Sequence, residues 1–455
     1  MPLPAELTPE SLAELSSRGP RYTSYPPATE FAPIGPEAVV AELAEVRRDG
    51  APISLYIHVP FCRSLCWYCG CNVIPSRDTA RGEHYVDVVA TELALLAEQL
   101  GVGFPIAEVA LGGGSPNFLT PHSLRTLRTA IDRAFRIRPD ARMSVELDPR
   151  DTTTAQVEAF ADAGFRSLSV GVQDFSAVVQ DAIHRHQTAV QTGWLIERAR
   201  QAGFTDVNVD IVYGLPRQHE SSFLSTIDTV IGLAPDRIAL FGYAHLPDRL
   251  PHQRLVEKAG RVLDRYERAT LLLAAIDRLT SAGYIHLGLD HFAKPGSALA
   301  RAAEEKRMVR TFQGYVEHRA DSVIGLGTSA ISSTPRMFWQ NYAELAPWED
   351  AIGARQLPVH RGTALDADDQ IRRALIERLM CDGEADLDQL EQRFGIEPMS
   401  YFAKELDTLA QDAQLAHLDD HTIRTTALGK LLVRNVCMLF DRYHHEDRTR
   451  FSSTI

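Results

Sequence analysis

The sequence predicts an α/β fold: an open (β/α)6 barrel, about three-quarters of a closed TIM-like barrel, with an N-terminal arm and a mainly helical C-terminal domain. From residue 53 to about residue 245, strand-like and helix-like stretches alternate, which is typical of βα units that build a parallel sheet. Four of the strands place polar residues on one face, whereas a closed barrel fills its interior with apolar side chains. After about residue 360 the pattern becomes mainly helical.

The length and composition bound the organisation of the chain. At 455 residues it exceeds one ordinary domain, and we predict an arm over residues 1–50, a barrel with its closing extension over 51–360 and a helical cover domain over 361–455. No stretch approaches twenty apolar residues and no secretory leader is visible, so we expect a cytoplasmic monomer with no membrane partner. The net charge of −13 argues against nucleic-acid binding.

Six strands are predicted, at residues 53–59, 106–111, 143–148, 166–173, 206–213 and 237–244. In the first of them Ser54, Tyr56 and His58 alternate with apolar residues, although a parallel strand buried on both faces should be apolar throughout. This alternation favours a wide, incompletely closed barrel with a polar lumen that encloses a large ligand. The alternative is a single α/β sheet with one face in water.

The remaining segments carry weaker signals. The arm contains Arg21-Tyr22-Thr23-Ser24-Tyr25-Pro26-Pro27, which is interpreted either as a segment packed on the core or as the lining of a polar pocket. Helices are predicted over residues 37–47, 188–202 and 253–281, as well as after the cysteine-rich loop. The C-terminal pattern resembles a winged helix, but residues 366–424 hold fifteen acidic and six basic residues, which disfavours DNA binding.

Four of the six cysteines lie within residues 62–71. The spacing Cys62-x3-Cys66-x2-Cys69 offers three thiolates, one fewer than a closed iron–sulfur or structural zinc site uses. A zinc site would need Cys71 as well, yet neighbours in a CxC cannot easily complete a tetrahedron; a disulfide framework is disfavoured without a secretory leader. The spacing resembles the radical S-adenosylmethionine (SAM) superfamily. That resemblance implies a 4Fe–4S cluster on Cys62, Cys66 and Cys69, with one iron free to bind SAM.

Further candidates lie at the ends of later strands. The glycines at 112–114 would let backbone approach a ligand closely, although a tight turn is the simpler interpretation. One strand beyond the cysteines, they resemble the segment by which radical SAM enzymes hold the SAM amino group. Glu146, Gln173 and Asp210 stand near the carboxyl ends of three strands, where parallel barrels carry their sites, and Arg185 could meet a carboxylate. Each could instead serve a structural ion pair or a cap.

From about residue 20 to residue 440 the chain resembles the oxygen-independent coproporphyrinogen III oxidases of haem biosynthesis. The similar stretches are residues 21–26, 56–72, 112–116, 146–150, 171–175, 210–216, 243–247, 290–293, 312–315 and 434–438. The segment Cys69-Gly70-Cys71-Asn72 is the most informative, because related haem chaperones typically lack this CxC and the N-terminal arm. Ser115, Gly242 and Thr311 depart from the usual family residues and put only fine contacts in doubt.

This resemblance implies oxidative decarboxylation of two propionates of coproporphyrinogen III to vinyl groups, which gives protoporphyrinogen IX. It implies one 4Fe–4S cluster, two SAM molecules, and an electron donor and acceptor that the sequence does not identify. The first SAM would contact Tyr56, Gly112, Glu146 and Ile331. The second would contact Tyr68, Gly113, Gly114, Gln173, Arg185, Asp210 and Ala244. Catalytic roles would fall to Tyr56, Cys71 and Glu146.

A substrate with four carboxylates needs local cations in this acidic chain, and we expect Arg21, Arg185 and Lys294 to provide them. Two other functions stay open at this point. A non-catalytic haem chaperone would bind haem and release no CO2, and a tetrapyrrole-directed radical SAM methyltransferase would transfer the methyl group of SAM to its product.

Overall fold

The computed structural model describes residues 7–317, 320–411, 413–444, 451 and 453–455. Its N-terminal segment contains α1 (Pro9–Leu15), a 3-10 turn (Ala28–Glu30), β1 (Ala32–Pro33) and α2 (Pro36–Asp49). Thr8 caps the amino end of α1, and its side-chain oxygen accepts a hydrogen bond from the backbone N–H of Ser11 at 3.2 Å. The helix predicted over residues 37–47 is confirmed as α2.

The six predicted strands are confirmed, with ends shifted by up to eight residues. In chain order the strands of this region are β2 (Ile53–Val59), the short β3 (Phe61–Cys62) and β4 (Ile74–Pro75), β5 (Phe104–Gly113), β6 (Phe135–Leu147), β7 (Ser167–Gln173), β8 (Asp206–Tyr213) and β9 (Arg237–Gly242). The long strands pair in parallel in the order β2-β5-β6-β7-β8-β9. The helices between them are α3 (Ala80–Leu100), α4 (Pro121–Ala134), α5 (Thr154–Asp162), α6 (Ala177–Ile183), α7 (Ala189–Gln201) and α8 (Glu220–Leu233).

The segment that follows extends the sheet at both edges. Its helices are α9 (Arg254–Ala259), α10 (Arg265–Ser281), α11 (Ala298–Glu304) and α12 (Leu345–Gly353). Its strands are β10 (Ile285–Gly288), β11 (His291–Ala293), β12 (Met308–Thr311), β13 (Gly314–Glu317), β14 (Ser322–Leu326), β15 (Ile331–Ser333), β16 (Met337–Asn341) and β17 (Val359–Ala364). The prediction of one helix over residues 253–281 is wrong. A break after Gly260 separates α9 from α10, and the Asp264 side chain caps α10 by accepting from the Glu267 N–H at 2.9 Å.

The resulting sheet has thirteen strands in the order β1-β17-β16-β15-β14-β2-β5-β6-β7-β8-β9-β11-β10. Strand β14 pairs in parallel with β2 and adds a seventh parallel strand that the sequence did not reveal. Within the described residues the two edge strands, β1 and β10, do not pair with each other, so the barrel is open as predicted. The predicted domain boundaries stay predictions.

Glu92 on α3 holds the added strands against the barrel. Its carboxylate accepts hydrogen bonds from Gly327 N at 2.8 Å, Asn341 Nδ2 at 2.7 Å and Trp348 Nε1 at 3.2 Å. Burial nevertheless raises the pKa of Glu92 to about 7, since the three donors offset only part of the desolvation cost. One buried carboxyl group therefore ties the end of β14, β16 and α12 to a barrel helix.

The C-terminal residues form a separate small core. In chain order they contain α13 (Ala367–Asp382), β18 (Glu384–Asp386), α14 (Leu387–Phe394), α15 (Pro398–Tyr401), α16 (Ala403–Gln411), β19 (Ala416–Asp419), β20 (Thr422–Thr425), α17 (Ala427–Leu431) and α18 (Val433–Leu439). The three strands pair in the order β18-β20-β19, so the hairpin predicted over residues 415–425 is confirmed. Tyr22 and Tyr25 of the arm pack into this core beside Phe402 and Phe440. No described helix is both long and apolar enough to cross a membrane.

The polar strand faces form two layers inside the barrel. The lower layer is an ionic network near the amino ends of the strands, and its members are Ser54, Glu108, Arg142, Ser167, Asp206 and Arg237. Arg142 lies 3.1 Å from both Glu108 and Asp206, and Arg237 lies 2.7 Å from Asp206. Although burial would raise the pKa of Asp206, the two arginines lower it to about 2. We call this network the ionic floor. Its six members do not line the cavity described below, which is lined by residues of the layer above.

Candidate active site

A cavity of about 640 Å³ opens at the carboxyl ends of the parallel strands. Its walls bring together most of the predicted site residues: Cys62, Cys66, Tyr68, Cys69, Cys71, Gly113, Gly114, Glu146, Gln173, Arg185, Asp210 and Ala244. Three predicted residues, Tyr56, Gly112 and Ile331, do not line it. Ile331 packs instead beside Phe31 and Phe338 of a separate apolar cluster.

The cysteine loop is held by backbone contacts from distant segments. Strands β3 and β4 pair at its base, and Trp67 N donates to Ile183 O at 3.0 Å at the end of α6. The carbonyls of Tyr68 and Cys69 accept hydrogen bonds from Gln253 Nε2 at 3.0 Å and His252 Nε2 at 2.8 Å. The positions of the thiols therefore depend on two elements far away in sequence.

The four thiols of the loop differ in environment. Burial and the neighbouring cysteines raise the pKa of Cys62 to about 12, whereas a hydrogen bond with Cys71 lowers the pKa of Cys69 to about 7. Within the described part of the chain, no three His, Cys, Asp or Glu side chains converge to hold one metal ion. A four-iron cluster takes its thiolates on separate irons, so it needs a wider spacing than a zinc ion does.

Asp148, just past the end of β6, binds two arginines beside a cysteine sulfur. Its carboxylate lies 2.6 Å from Arg150 Nη2 and 3.1 Å from Arg185 Nη1, and both guanidinium groups also donate to Cys66 Sγ at 3.5 Å. Burial alone would raise the pKa of Asp148, but Arg185 and Arg150 lower it to about 2. The prediction that Arg185 meets a carboxylate is thus fulfilled within the protein.

The glycines at the end of β5 leave no room for side chains. A Cβ at Gly112 would lie 2.8 Å from the Glu146 carboxyl carbon, and one at Gly113 would lie 2.5 Å from the His58 ring. Gly113 also has a φ of +111°, which side chains rarely permit, and its N–H points to Glu146 Oε2 at 3.4 Å. Gly113 and Gly114 line the cavity. That their backbone lies close to a bound ligand stays a prediction.

Two half-buried carboxyl groups, Glu146 and Asp210, line the cavity, and within the described residues neither has a basic partner in hydrogen-bonding contact. Burial and the charge of Asp210 raise the pKa of Glu146 to about 7. Burial also raises the pKa of Asp210, although Asn208 Nδ2 and Ser169 Oγ donate to it at 2.7 Å and 3.2 Å. A cation placed between these groups would restore their charge, so this wall suits a positively charged ligand.

Tyr56 lies behind this wall. Its hydroxyl is 3.2 Å from His58 Nδ1, and His58 Nε2 donates to Asn72 O at 3.0 Å. Because the carbonyl accepts from Nε2, Nδ1 is left to accept from the Tyr56 hydroxyl. Burial lowers the pKa of His58 to about 4, which keeps the ring neutral and this relay fixed.

The chain fits an iron–sulfur cluster with SAM in one further respect. Among the described residues, Arg185 Nε is buried with no hydrogen-bond partner while its side chain lines the cavity. Buried polar atoms in native proteins nearly always have partners, so a ligand atom is expected there. The groups on the walls, which are thiols, glycine backbone and carboxyl groups, match the polar groups of such a pair of cofactors.

Two features of the site were not predicted from the sequence. One is the grouping of Asp148, Arg150 and Cys66, and the other is the contact of His252 and Gln253 with the cysteine loop. The motif Asp148-Pro149-Arg150 at a strand end was visible, but its partner at Arg185 is a long-range contact. Lys294, expected near the substrate, does not line the cavity; its Nζ donates to Ala234 O at 2.6 Å. That expectation is wrong because Lys294 follows β11, at the opposite end of β9.

Comparison with known proteins identifies the family. A model described as the radical SAM superfamily matches residues 56–230, and one described as the HemN C-terminal domain matches residues 365–432. The oxygen-independent coproporphyrinogen III oxidase of Pseudomonas aeruginosa is 38% identical and aligns over 96% of both chains. This chain belongs to the oxygen-independent coproporphyrinogen III oxidase family. The relative of that name in Helicobacter pylori strain J99 is 36% identical over 98% of this chain and 99% of its own.

A solved structure supports the same family. The structure described as coproporphyrinogen III oxidase (HemN) from Escherichia coli, a radical SAM enzyme, superposes with a TM-score of 0.89. It is 37% identical and covers 93% of this chain and 98% of that chain. The expected fold class, family and cofactor classes, an iron–sulfur cluster and SAM, are confirmed by these matches. The roles of individual residues stay predictions.

The glycine contacts predict a difference between two substitutions. We expect Gly113→Ala to lower the free energy of unfolding by about 1–3 kcal/mol, because Cβ collides with His58 at a positive φ. Gly70→Ala, within the cysteine loop, has nothing within 4 Å of its Cβ and should change it by less than about 0.5 kcal/mol. Chemical denaturation of both variants measures the difference; equal stabilities would contradict the tight fit at Gly113.

Proposed function

We propose that this chain catalyses the oxidative decarboxylation of two propionates of coproporphyrinogen III to vinyl groups, which forms protoporphyrinogen IX. One observation carries the proposal: a single cavity at the strand ends brings the thiols, the glycine turn and the two half-buried carboxyl groups together. It does so in a chain whose near full-length relatives bear the name of this enzyme. The protein would act in the cytoplasm as a monomer, with a separate electron donor and acceptor.

The proposed cluster ligands are Cys62, Cys66 and Cys69. The loop contacts hold these residues at the wall of the cavity, and Arg150 and Arg185 donate to Cys66 Sγ. When bound, the cluster and SAM supply a 5′-deoxyadenosyl radical that removes a hydrogen atom from the β-carbon of a propionate. Cys71 is proposed to be a nearby thiol that does not bind the cluster and that acts in turnover.

This assignment predicts how cysteine substitutions act. Replacing Cys62, Cys66 or Cys69 by Ser should abolish the iron–sulfur absorption, since three thiolates are the minimum set on this loop. Cys71→Ser should keep the absorption and lower turnover. Cys381→Ser serves as a control, because Cys381 is buried in a separate apolar cluster around Leu287 and Tyr315. Loss of the cluster in Cys71→Ser as complete as in Cys62→Ser would refute the ligand set.

The first SAM is proposed to bind beside Glu146 at the end of β6. The carboxyl group of Glu146 lines the cavity and suits the ammonium group of SAM. Tyr56, Gly112 and Ile331 do not form the cavity wall, so any contribution from them would be indirect. Tyr56 would support the site through His58, and Gly112 through the room it leaves for Glu146.

A second SAM is proposed to bind on the neighbouring strands. Gln173 ends β7 and Asp210 lies within β8. The other residues proposed for this site line the same cavity, and they are Tyr68, Gly113, Gly114, Arg185 and Ala244. The carboxylate oxygens of Asp210 accept hydrogen bonds from Asn208 and Ser169 and can accept more. Among the described residues Asp210 has no basic partner in contact, so a hydroxyl or ammonium group of a ligand suits it. Arg185 Nε offers an unused donor for the same ligand.

The second site predicts a change in stoichiometry. We expect Asp210→Ala to lower the number of bound SAM molecules from about two to about one while the cluster absorption is kept, because Asp210 lines the cavity from β8 and not from the cysteine loop. Equilibrium dialysis with labelled SAM under anaerobic conditions measures the number. Two SAM molecules still bound to the variant would remove Asp210 from the site.

The reaction itself gives the main test. A propionate β-carbon carries no acidic hydrogen, so general-base chemistry cannot readily begin the elimination, whereas the cofactor carries this difficult step. We expect reduced holoenzyme, SAM and coproporphyrinogen III to release about two CO2 per tetrapyrrole under anaerobic conditions and to form 5′-deoxyadenosine. Mass spectrometry of the product and capture of CO2 measure both.

Other outcomes of the same assay identify the alternatives. A methyl group from SAM in the product would indicate a tetrapyrrole methyltransferase, and tight haem binding with no CO2 would indicate a haem chaperone. Either result would overturn the proposed function. The Cys62→Ser variant is the matched control, because it should lack the cluster and release no CO2.

A further inference from the structure

We propose that Arg21, a residue of the N-terminal arm, is the side chain that binds a carboxylate of the tetrapyrrole substrate and fixes its orientation in the cavity. The inference rests on the proposed function for the identity of the substrate. Arg21 lines the cavity, and its Nη2 donates to Gly242 O at 3.2 Å at the end of β9. The remaining N–H groups of a guanidinium can bind a carboxylate through two parallel hydrogen bonds.

Side chains from other segments bind the backbone of the arm around Arg21, and the Arg21 side chain lines the cavity. Arg434 on α18 donates to the carbonyls of Gly19 and Pro20, the latter at 2.8 Å, and Arg310 on β12 donates to the carbonyl of Arg21 itself at 3.1 Å. The next residue, Tyr22, has a φ of +47°, a strained conformation for a side chain of its size. Strain of this kind persists only where surrounding contacts enforce it.

Tyr22 itself is fixed from the other side. Its hydroxyl donates to Asp441 Oδ2 at 2.9 Å, and the ring is buried in the C-terminal core. Three consecutive carbonyls and the following side chain are therefore anchored by residues outside the arm. These anchors fix the backbone on both sides of Arg21, whose side chain is exposed and lines the open cavity.

The surroundings of Arg21 carry an excess of positive charge. Burial, followed by the nearby charges of Arg21 and Arg310, lowers the pKa of Arg434 to about 9. The acidic group that acts most on Arg21 is Asp290. Asp290 lies 2.5 Å from His291 Nδ1 and 3.8 Å from Arg310 Nη1, so it is shared. A carboxylate brought in by a ligand would relieve this imbalance.

The acidic side chains that line the cavity lie on β8, on β6 and just past the end of β6. Glu146 ends β6, which is three strands from β9 in the sheet, a distance of about 14 Å at the usual spacing of strands. Asp148 is already paired with Arg150 and Arg185. Asp210 lies on β8, next to β9, and accepts hydrogen bonds from Asn208 and Ser169. Arg21, at the end of β9, is therefore a cation of the cavity that a carboxylate of the tetrapyrrole can contact.

The test measures binding without turnover. Oxidised coproporphyrin III keeps the four carboxylates and is fluorescent, and its tetraamide has the same shape without charge. On cluster-loaded protein with SAM, we expect Arg21→Gln to weaken coproporphyrin binding about 10- to 100-fold and to change tetraamide binding by less than about twofold. Arg21→Lys should restore part of the affinity, because it keeps the charge but not the paired hydrogen bonds.

Two further variants complete the design. Arg434→Gln should weaken coproporphyrin more than the tetraamide, since Arg434 positions the arm without lining the cavity. Lys294→Gln is the matched control and should bind both as the wild type does, because Lys294 lies outside the cavity. Cluster absorption and thermal unfolding verify that each variant is folded.

The outcomes separate the inference from the proposed function. Equal losses for coproporphyrin and tetraamide in Arg21→Gln, or no loss for coproporphyrin, would overturn the role of Arg21. If Arg21→Gln does not fold, the wild-type protein provides the test. Equal affinities of the wild type for coproporphyrin and for its tetraamide would also overturn the role of Arg21. A preserved acid preference with no CO2 release from coproporphyrinogen III would reject the proposed function and leave the carboxylate site in place.

Discussion

The ionic floor is the interaction on which the barrel depends. Arg142 and Arg237 bind Asp206 between them, and Arg142 also binds Glu108, so charges from β5, β6, β8 and β9 meet inside the lumen. Removing one member would leave a buried charge without a partner, at a cost of about 3–5 kcal/mol. Because these groups satisfy one another, the lower lumen needs no ligand. The polar groups of the upper layer are not satisfied in this way, and the cavity is found there.

The alternation of polar and apolar residues predicted this architecture only in part. A period of two identifies the face of a strand that points into the lumen, and it is visible in four of the six predicted strands. It does not say whether a polar residue pairs with another strand or with a ligand. Asp206 and Asp210 stand on the same face of β8, yet one belongs to the floor and the other lines the cavity.

The features of the candidate site also differ in whether the sequence could predict them. The cysteines, the glycine turn and the carboxyl groups at strand ends could be predicted, because each signal lies within a few consecutive residues. The pairing of Asp148 with Arg185 could not, since it joins positions that only the folded sheet brings together. The seventh parallel strand was missed for a similar reason: β14 follows β2 by more than 250 residues, and its partner is not apparent from local pattern.

The clamp on the arm has a consequence for the order in which the protein is made. The bond from Arg434 to Pro20 joins residues 414 positions apart, whereas the cysteine loop is anchored by residues up to His252 and Gln253. During synthesis a chain can complete the cluster loop and the parallel strands long before α18 emerges from the ribosome. The arm cannot take its final place until almost the entire chain exists. A truncated translation product would thus present the cysteine loop without the fixed Arg21.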